Sequence, residues 1–387
     1  MYPPVDGVSR DDVFLMVFGP GTACAGVFTA SRTASDDVDW CRRALVEGKG
    51  AARALLVNAG NSNAFTGAFG RAKNAASLEA LQETLGVSQS HCFLAATGVI
   101  GEPLPSPGYI AASVQGMASS LTSPDWESLA RAFMTTDTYP KGAGGTTNLA
   151  GTSVSMAGIA KGSGMIAPNM ATMLAYAVTD AAIAPNLLQE LLQEVTQKSF
   201  NSITVDGDTS TSDTFMVFAT GASGMPPITS PEDPRYPPFK TLLLEIAQDL
   251  AVQIVKDGEG ASKFITIEVA GAASDTEARA VGASVANSPL VKTALASSDA
   301  NWGRVVMAVG NAGVAVDQAR LRIWFGDHLV ADAGGRAEGY DEGKASAACA
   351  KDEIVLRISL GDGPGQATVY TCDLTHAYID INGAYRT

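Results

Sequence analysis

Apolar positions along the chain recur at two spacings, and each spacing predicts its own kind of element. Short apolar runs predict strands at Val13 to Phe18, Ala54 to Val57, Cys92 to Ala96, Met173 to Val178 and Phe215 to Ala219. Four more follow at Phe264 to Val269, Leu321 to Phe325, Ile354 to Leu360 and Ala367 to Thr371. Between them, Leu187, Leu188, Leu191, Leu192 and Val195 fall on one helical stripe after Pro185, with Gln and Glu opposite. Leu243, Leu244, Ala247, Leu250, Ala251, Ile254 and Val255 form a second stripe, closed by Gly258. Ser123-Pro-Asp125 reads as the start of a third helix. Strands interleaved with helices place the chain in the α/β or α+β class, with its sheets largely covered.

The proline-rich stretch from Gly224 through Pro231, Pro234, Pro237 and Pro238 predicts a surface loop. After Glu259-Gly-Ala261 the strands become more frequent and more charged. That shift divides the chain into a larger α/β part, residues 1–261, and a smaller C-terminal α/β part, residues 262–387.

Composition narrows the class. The 387 residues are 46% hydrophobic and only 17% charged, against roughly 25% in ordinary soluble domains, so a disordered chain is excluded. Forty glycines imply many tight turns. With 26 Lys+Arg against 40 Asp+Glu, the net charge of −14 lacks the attraction to phosphate on which nucleic-acid binding rests. Met1 to Asp6 carries neither the basic nor the apolar segment of a signal peptide. The uncharged run from Gly162 to Thr179 is interrupted by Gly164, Pro168 and Asn169, which argues against a membrane span and for a buried strand. Five cysteines, odd in number and without a C-x-x-C, read as free thiols in a cytoplasmic protein.

Several chemistries lack their residues. His91, His328 and His376 are far apart and accompany no nucleophile elbow or zinc motif. Asp206-Gly-Asp-Thr-Ser-Thr-Ser-Asp213 opens like a calcium loop, but Thr211 stands where glycine is needed and Val217 where glutamate is needed. No metal site is expected.

The unusual segment runs from Lys161-Gly-Ser-Gly164 through Pro168 to Ala171-Thr172 and on to Asp180. A cationic, glycine-rich loop ending in a small residue and a threonine suits a self-cleaving bond. The Thr172 hydroxyl would attack the Ala171 carbonyl, and hydrolysis of the resulting ester would free an α-amine beside that hydroxyl. One residue would then supply both nucleophile and base, with an unperturbed amine pKa of about 7.7–8.0.

Around this bond the sequence resembles the ornithine acetyltransferases, also called bifunctional arginine-biosynthesis proteins or glutamate N-acetyltransferases. The resemblance extends from Ala25-Gly-Val-Phe-Thr29 to the last residue. It is carried by Val57-Asn-Ala-Gly-Asn-Ser-Asn-Ala-Phe-Thr-Gly67, Thr97-Gly-Val-Ile-Gly101, Met134-Thr-Thr-Asp-Thr138 and the segment Ser199 to Asp213. Asp257-Gly-Glu-Gly-Ala261, Asp299-Ala-Asn-Trp-Gly-Arg304, Asp373-Leu-Thr-His376 and Ile381-Asn-Gly-Ala-Tyr-Arg-Thr387 complete it. Met1 to Ala23 matches poorly, as though an edge strand were shortened or the start lay further upstream.

The resemblance implies a four-layer α/β/β/α sandwich of the N-terminal-nucleophile aminopeptidase type, and cleavage at Ala171-Thr172 into an α chain, 1–171, and a β chain, 172–387. It implies Thr172 as nucleophile of self-cleavage and of acetyl transfer, and Thr97 with Gly98 as the oxyanion hole. Substrate contacts carry over to Thr135, Lys161, Thr172, Glu259, Asn382 and Thr387; Thr136 is an equal alternative to Thr135. The implied partners are N-acetylornithine, glutamate and ornithine, in an α2β2 assembly without nucleic acid or membrane. No cofactor is implied, and acetyl-CoA is left open as a second donor. Two rivals stand beside this reading: an amidohydrolase or aminopeptidase of the same architecture, and an unprocessed amino-acid-binding protein.

Overall fold

The computed structural model describes residues 11–167 and 173–384. In chain order they form β1 (Val13–Val17), β2 (Ala23–Phe28), α1 (Asp36–Glu47), β3 (Ala54–Asn61), α2 (Gly67–Leu85), β4 (Cys92–Val99), α3 (Ala111–Ser119) and α4 (Trp126–Ala132). Next come β5 (Lys141–Leu149), β6 (Thr152–Lys161), β7 (Leu174–Thr179), α5 (Pro185–Gln197), β8 (Thr214–Ala219), α6 (Tyr236–Lys256) and β9 (Phe264–Gly271). The rest are α7 (Asp275–Ala286), α8 (Pro289–Ala296), α9 (Trp302–Gly310), β10 (Arg322–Phe325), β11 (His328–Asp332), β12 (Gly335–Arg336), α10 (Glu342–Cys349), β13 (Glu353–Ser359), β14 (Gly363–Cys372) and α11 (His376–Ala384).

Three sheets result, ordered β1-β3-β4, β2-β8-β7-β6-β5 and β12-β11-β10-β13-β9-β14. The two-residue period of each strand decides what each face meets. On β3 and β4, Leu55, Val57, Phe93 and Ala95 face the second sheet, where Leu174, Tyr176, Met216 and Phe218 answer them. The alternate residues Ala54, Leu56, Cys92 and Leu94 turn outward onto Leu78 and Leu81 of α2 and Val114 of α3. On the second sheet, Ala175, Ala177, Phe215 and Val217 turn the other way, onto Leu188, Leu191 and Leu192 of α5 and Leu243, Ala247 and Leu250 of α6. The layers therefore run helix, sheet, sheet, helix, which is the expected α/β/β/α sandwich. The third sheet is drawn wholly from residues 264–372 and packs its own core against α7, α8 and α9. It rests on the sandwich through Phe264, Tyr370 and Cys372.

All nine expected strands form, and the stripes after Pro185 and before Gly258 are α5 and α6. Asp125 caps α4 by accepting the Ser128 amide at 3.3 Å. The proline-rich loop is shorter than its composition suggests, because α6 begins at Tyr236 with Pro237 and Pro238 in its first turn. Proline is tolerated there because those amides have no helical acceptor. The run Met173 to Val178 is a strand from Leu174 onward. At the poorly matching N-terminal end, Val13–Val17 is an edge strand paired antiparallel to β3. Among the described residues no helix is long and apolar enough to cross a membrane.

The seam between the first two sheets is aromatic. The Phe218 ring stacks on Phe18 at 4.4 Å between centroids and meets Phe93 edge-on at 6.3 Å. Phe218→Ala should lower the unfolding free energy by about 3–5 kcal/mol in a denaturant titration. Leu121→Ala, at a side chain 48% exposed, should stay within about 0.5 kcal/mol.

Candidate active site

The C-terminal ends of β3, β4 and β6 point to one edge of the sandwich, and the loops that leave them enclose a cavity of about 210 Å³. Thr97 and Gly98, near the end of β4, form one wall, with Ser62 beside them. Lys161 closes β6, and Gly164 and Met165 follow it along the rim. Thr135 and Thr136 both reach the cavity, as do Glu259 and Asn382. Six residues singled out from sequence thus converge from separate regions of the chain: Thr97, Gly98, Thr135, Lys161, Glu259 and Asn382. Ala171, Thr172 and Thr387 lie outside the described residues. The segment that contains Ala171 and Thr172 leaves from Ala167, just past the cavity wall, and returns at Met173.

Two glycines allow close approaches in this geometry. Gly98 has φ +131°, and a Cβ there would sit 2.5 Å from the Gly60 carbonyl carbon of the paired strand. A Cβ on Gly164 would lie 2.3 Å from a Glu259 carboxylate oxygen, so a larger residue there would push that carboxylate away from the loop. Glu259 is further fixed by Asn382, whose side-chain amide donates to it at 2.8 Å from α11. The Glu259 amide donates to the Ser163 carbonyl at 2.9 Å.

Beneath the cavity floor sits a buried ion cluster that sequence reasoning missed. The Lys141 ammonium donates to Asp137 at 2.6 Å and to Asp257 at 2.5 Å, with all three side chains essentially sealed from water. Asp137 also accepts the Thr135 amide at 3.0 Å and the Gly162 amide at 2.7 Å. Asp257 accepts the Thr138 amide at 3.0 Å, and its carbonyl takes the Ser163 hydroxyl at 2.7 Å. One lysine therefore ties together the three segments that present Thr135, Lys161 and Glu259. Burial alone would raise the Asp137 carboxyl. The charges of Lys141 and Lys161 and the bonds from Lys141 and Thr135 more than offset this, and hold it below the usual range. The signal available in the sequence was an Asp and a Lys four apart inside Thr135-Thr-Asp-Thr-Tyr-Pro-Lys141. Asp257 is too distant in the chain for spacing to reveal it.

Lys161 is itself buried, which lowers its ammonium's proton affinity; Asp137, Asp213 and Glu259 pull the other way. Asp206 also lines the cavity. Its carboxylate accepts the Met165 and Ile166 amides at 2.6 and 2.9 Å and the Tyr378 hydroxyl at 3.2 Å. Burial raises the Asp206 carboxyl, and burial together with Asp206 raises the Tyr378 phenol. The stretch Asp206 to Asp213, which resembled a calcium loop, instead holds the chain on both sides of Ala171-Thr172. Asp206 grips residues 165 and 166, and Asp213 accepts the Met173 amide at 2.9 Å. The cavity thus offers one buried ammonium, three carboxylates (Asp206, Asp208 and Glu259) and several hydroxyls. Such a lining matches a small zwitterionic ligand. None of the three histidines lines it.

Lys141→Met leaves two buried carboxylates without their cation. It should cost about 3–5 kcal/mol of stability near neutral pH. The loss should shrink as the pH falls, beginning above the ordinary carboxylate range, because a buried carboxyl without its cation takes up a proton more readily. Denaturation of both proteins across pH measures it.

A family model described as the ArgJ family matches residues 5–387. The arginine biosynthesis bifunctional protein ArgJ of Brucella suis biovar 1 (strain 1330) is 52% identical over 381 residues, covering 98% of this chain and 92% of that protein. Its namesake in Zymomonas mobilis subsp. mobilis (strain ATCC 31821 / ZM4 / CP4) is 48% identical over 399 residues, with 100% and 96% covered. A crystal structure of arginine biosynthesis bifunctional protein argJ from Bacillus halodurans aligns with a TM-score of 0.51 at 40% identity. It covers 53% of this chain and 96% of that one. Matched over nearly its whole length by the family model and by relatives near 50% identity, the chain belongs to the ArgJ family.

Proposed function

We propose that Thr172 is the residue through which this ArgJ-family acetyltransferase of arginine biosynthesis carries its acetyl group from N-acetylornithine to glutamate. The observation that carries this reading is the convergence of Thr97, Gly98, Thr135, Lys161, Glu259 and Asn382 on one cavity, which Gly164 and Met165, shortly before Ala171-Thr172 in the chain, also line. The Bacillus halodurans chain, about half as long as this one, has the length expected of one product of a cut near the middle.

Self-cleavage comes first. The Thr172 hydroxyl adds to the Ala171 carbonyl, the C–N bond breaks as its nitrogen takes up a proton, and water hydrolyses the ester. The products are an α chain of 171 residues and a β chain of 216, out of 387. In acetyl transfer the freed α-amine accepts the hydroxyl proton while Thr172 attacks the acetyl carbonyl. The Thr97 hydroxyl and the Gly98 amide stabilise the tetrahedral oxyanion. Ornithine departs with the proton, and the glutamate amine attacks the acetyl-threonine ester in the same cavity. Lys161 pairs with the substrate carboxylate, Glu259 with its amino group, and Thr135, Asn382 and Thr387 fix the remainder.

This chemistry calls for no metal or redox cofactor, and acetyl-CoA would be a second donor to the same hydroxyl. The reading extends to an α2β2 assembly and a cytoplasmic location. Five free, buried cysteines fit that location.

A denaturing gel of purified protein should show two fragments, and Thr172→Ala a single intact chain; efficient cleavage of that variant would sink the nucleophile assignment. Acetate released from N-acetylornithine without glutamate would identify a hydrolase instead. Lys161→Met should weaken substrate binding by roughly 10–100-fold, the loss of one charge-assisted contact, read as a rise in KM.

A further inference from the structure

α11 presents two side chains to the cavity one turn apart, Tyr378 and Asn382, while Ile379, Asp380 and Ile381 between them are exposed. Backbone contact fixes the helix there. The Thr375 hydroxyl donates to the Gly260 carbonyl at 2.6 Å. A Cβ on Gly260, at φ +70°, would lie 2.4 Å from the Tyr378 amide nitrogen. The first turn of α11 therefore lies directly on the residue that follows Glu259. Asn382 donates to Glu259, whereas the Tyr378 hydroxyl donates to Asp206 at 3.2 Å.

Asp206 does not depend on that hydroxyl. It also accepts the main-chain amides of Met165, Ile166 and Asp208 at 2.6, 2.9 and 3.3 Å. Those three donors are fixed in the backbone. The phenol hydrogen can turn about its C–O bond, and Asp206 keeps three donors when it does. A hydroxyl donates to an anion or accepts from a cation through one atom, whereas an ionised carboxylate only accepts. Burial, and then the charges of Asp206, Glu259 and Asp208, keep the proton on the phenol.

The functional reading gives this property a use. N-acetylornithine ends in a side-chain ammonium and glutamate in a side-chain carboxylate, and both must meet the same nucleophile. With each α-carboxylate on Lys161, the two oppositely charged ends reach the same part of the cavity. Glu259 attracts the first and repels the second.

We propose that Tyr378 is a specificity-determining residue whose hydroxyl lets one cavity accept both side-chain ends. With the ammonium-ended donor bound, its O–H stays on Asp206 and its oxygen accepts an N–H from the ligand. With glutamate bound, the O–H turns from Asp206 to the ligand's side-chain carboxylate. No proton changes owner in either state. The inference rests on N-acetylornithine and glutamate being the two substrates.

Tyr378→Phe removes the hydroxyl and keeps the ring. The ammonium-ended donor still finds Glu259, and Asp206 becomes free to receive it. Glutamate loses its donor and faces the same carboxylates bare. In a double-displacement reaction each kcat/KM reports its own half-reaction, so the two substrates are read separately. The value for glutamate should fall roughly 10–100-fold, the loss of one hydrogen bond to a charged group, and that for N-acetylornithine by less than about threefold. Equal losses, a larger loss for N-acetylornithine, or no loss overturns the proposal. If that variant fails to fold, a ring-fluorinated tyrosine at position 378 decides, since its hydroxyl is a stronger donor and a weaker acceptor. The ratio of the two kcat/KM values should then shift towards glutamate, and an unchanged or opposite ratio refutes the proposal. Wild-type protein that moves no acetyl group from N-acetylornithine to glutamate would instead refute the functional reading beneath it, and the same assay tells the two failures apart.

Discussion

A single buried ammonium underlies the geometry of the site. Lys141 has no contact with water and lies between Asp137 and Asp257. Such a cluster is a weak source of net stability, because desolvating three charges costs about as much as their attraction returns. Its effect is on arrangement. Each carboxylate has an oxygen on Lys141 and further lone pairs for backbone amides, and those amides belong to the loop after α4 and to the end of β6. The turn after α6 follows because Asp257 belongs to it. Swapping the cluster for apolar side chains would keep the layers and release the loops, since nothing apolar can hold the Thr135, Thr138 and Gly162 amides at once.

The layers and the site were legible to different degrees, for a physical reason. Leu55 and Val57 against Ala54 and Leu56, or Leu174 and Tyr176 against Ala175 and Ala177, declare strands buried on both faces by local pattern alone. The pattern fails where packing, not side-chain hydrophobicity, makes the strand. β5 reads Lys-Gly-Ala-Gly-Gly-Thr-Thr-Asn-Leu and is a strand because it pairs with β6 along its full length and lies under α6. Family resemblance, not periodicity, singled out the cavity residues; that they meet at all depends on contacts across the chain. Asp206 and the cluster at Lys141 stand in the sequence only as polar letters, because what distinguishes them is burial, a property of the folded state.

The same contrast applies to the lysines. In a chain with only 26 basic residues, four lysines are buried: Lys73, Lys141, Lys161 and Lys292. Lys73 faces Asp37 at 3.2 Å and fixes α2 against α1. Lys292 donates to the Val205 carbonyl at 2.7 Å, the Thr371 hydroxyl at 3.0 Å and the Cys372 carbonyl at 2.6 Å, joining the third sheet to the segment that leads into Asp206. Lys141 holds two carboxylates. Each of these three stands among acceptors that the fold itself provides.

Lys161 differs in where its surroundings open. It is as sealed from bulk water as the others, yet it lines the cavity, and Asp137, which attracts it, already serves Lys141 and two amides. A buried ammonium disfavoured by burial, and facing a cavity, gains most from an anion that arrives with the ligand. Asp206, Asp208 and Glu259 line the same cavity. The cavity thus sets one buried ammonium among carboxylates and hydroxyls while the chain as a whole carries −14. Net charge does not reveal this local ammonium, which follows from where the fold places one lysine at the end of β6.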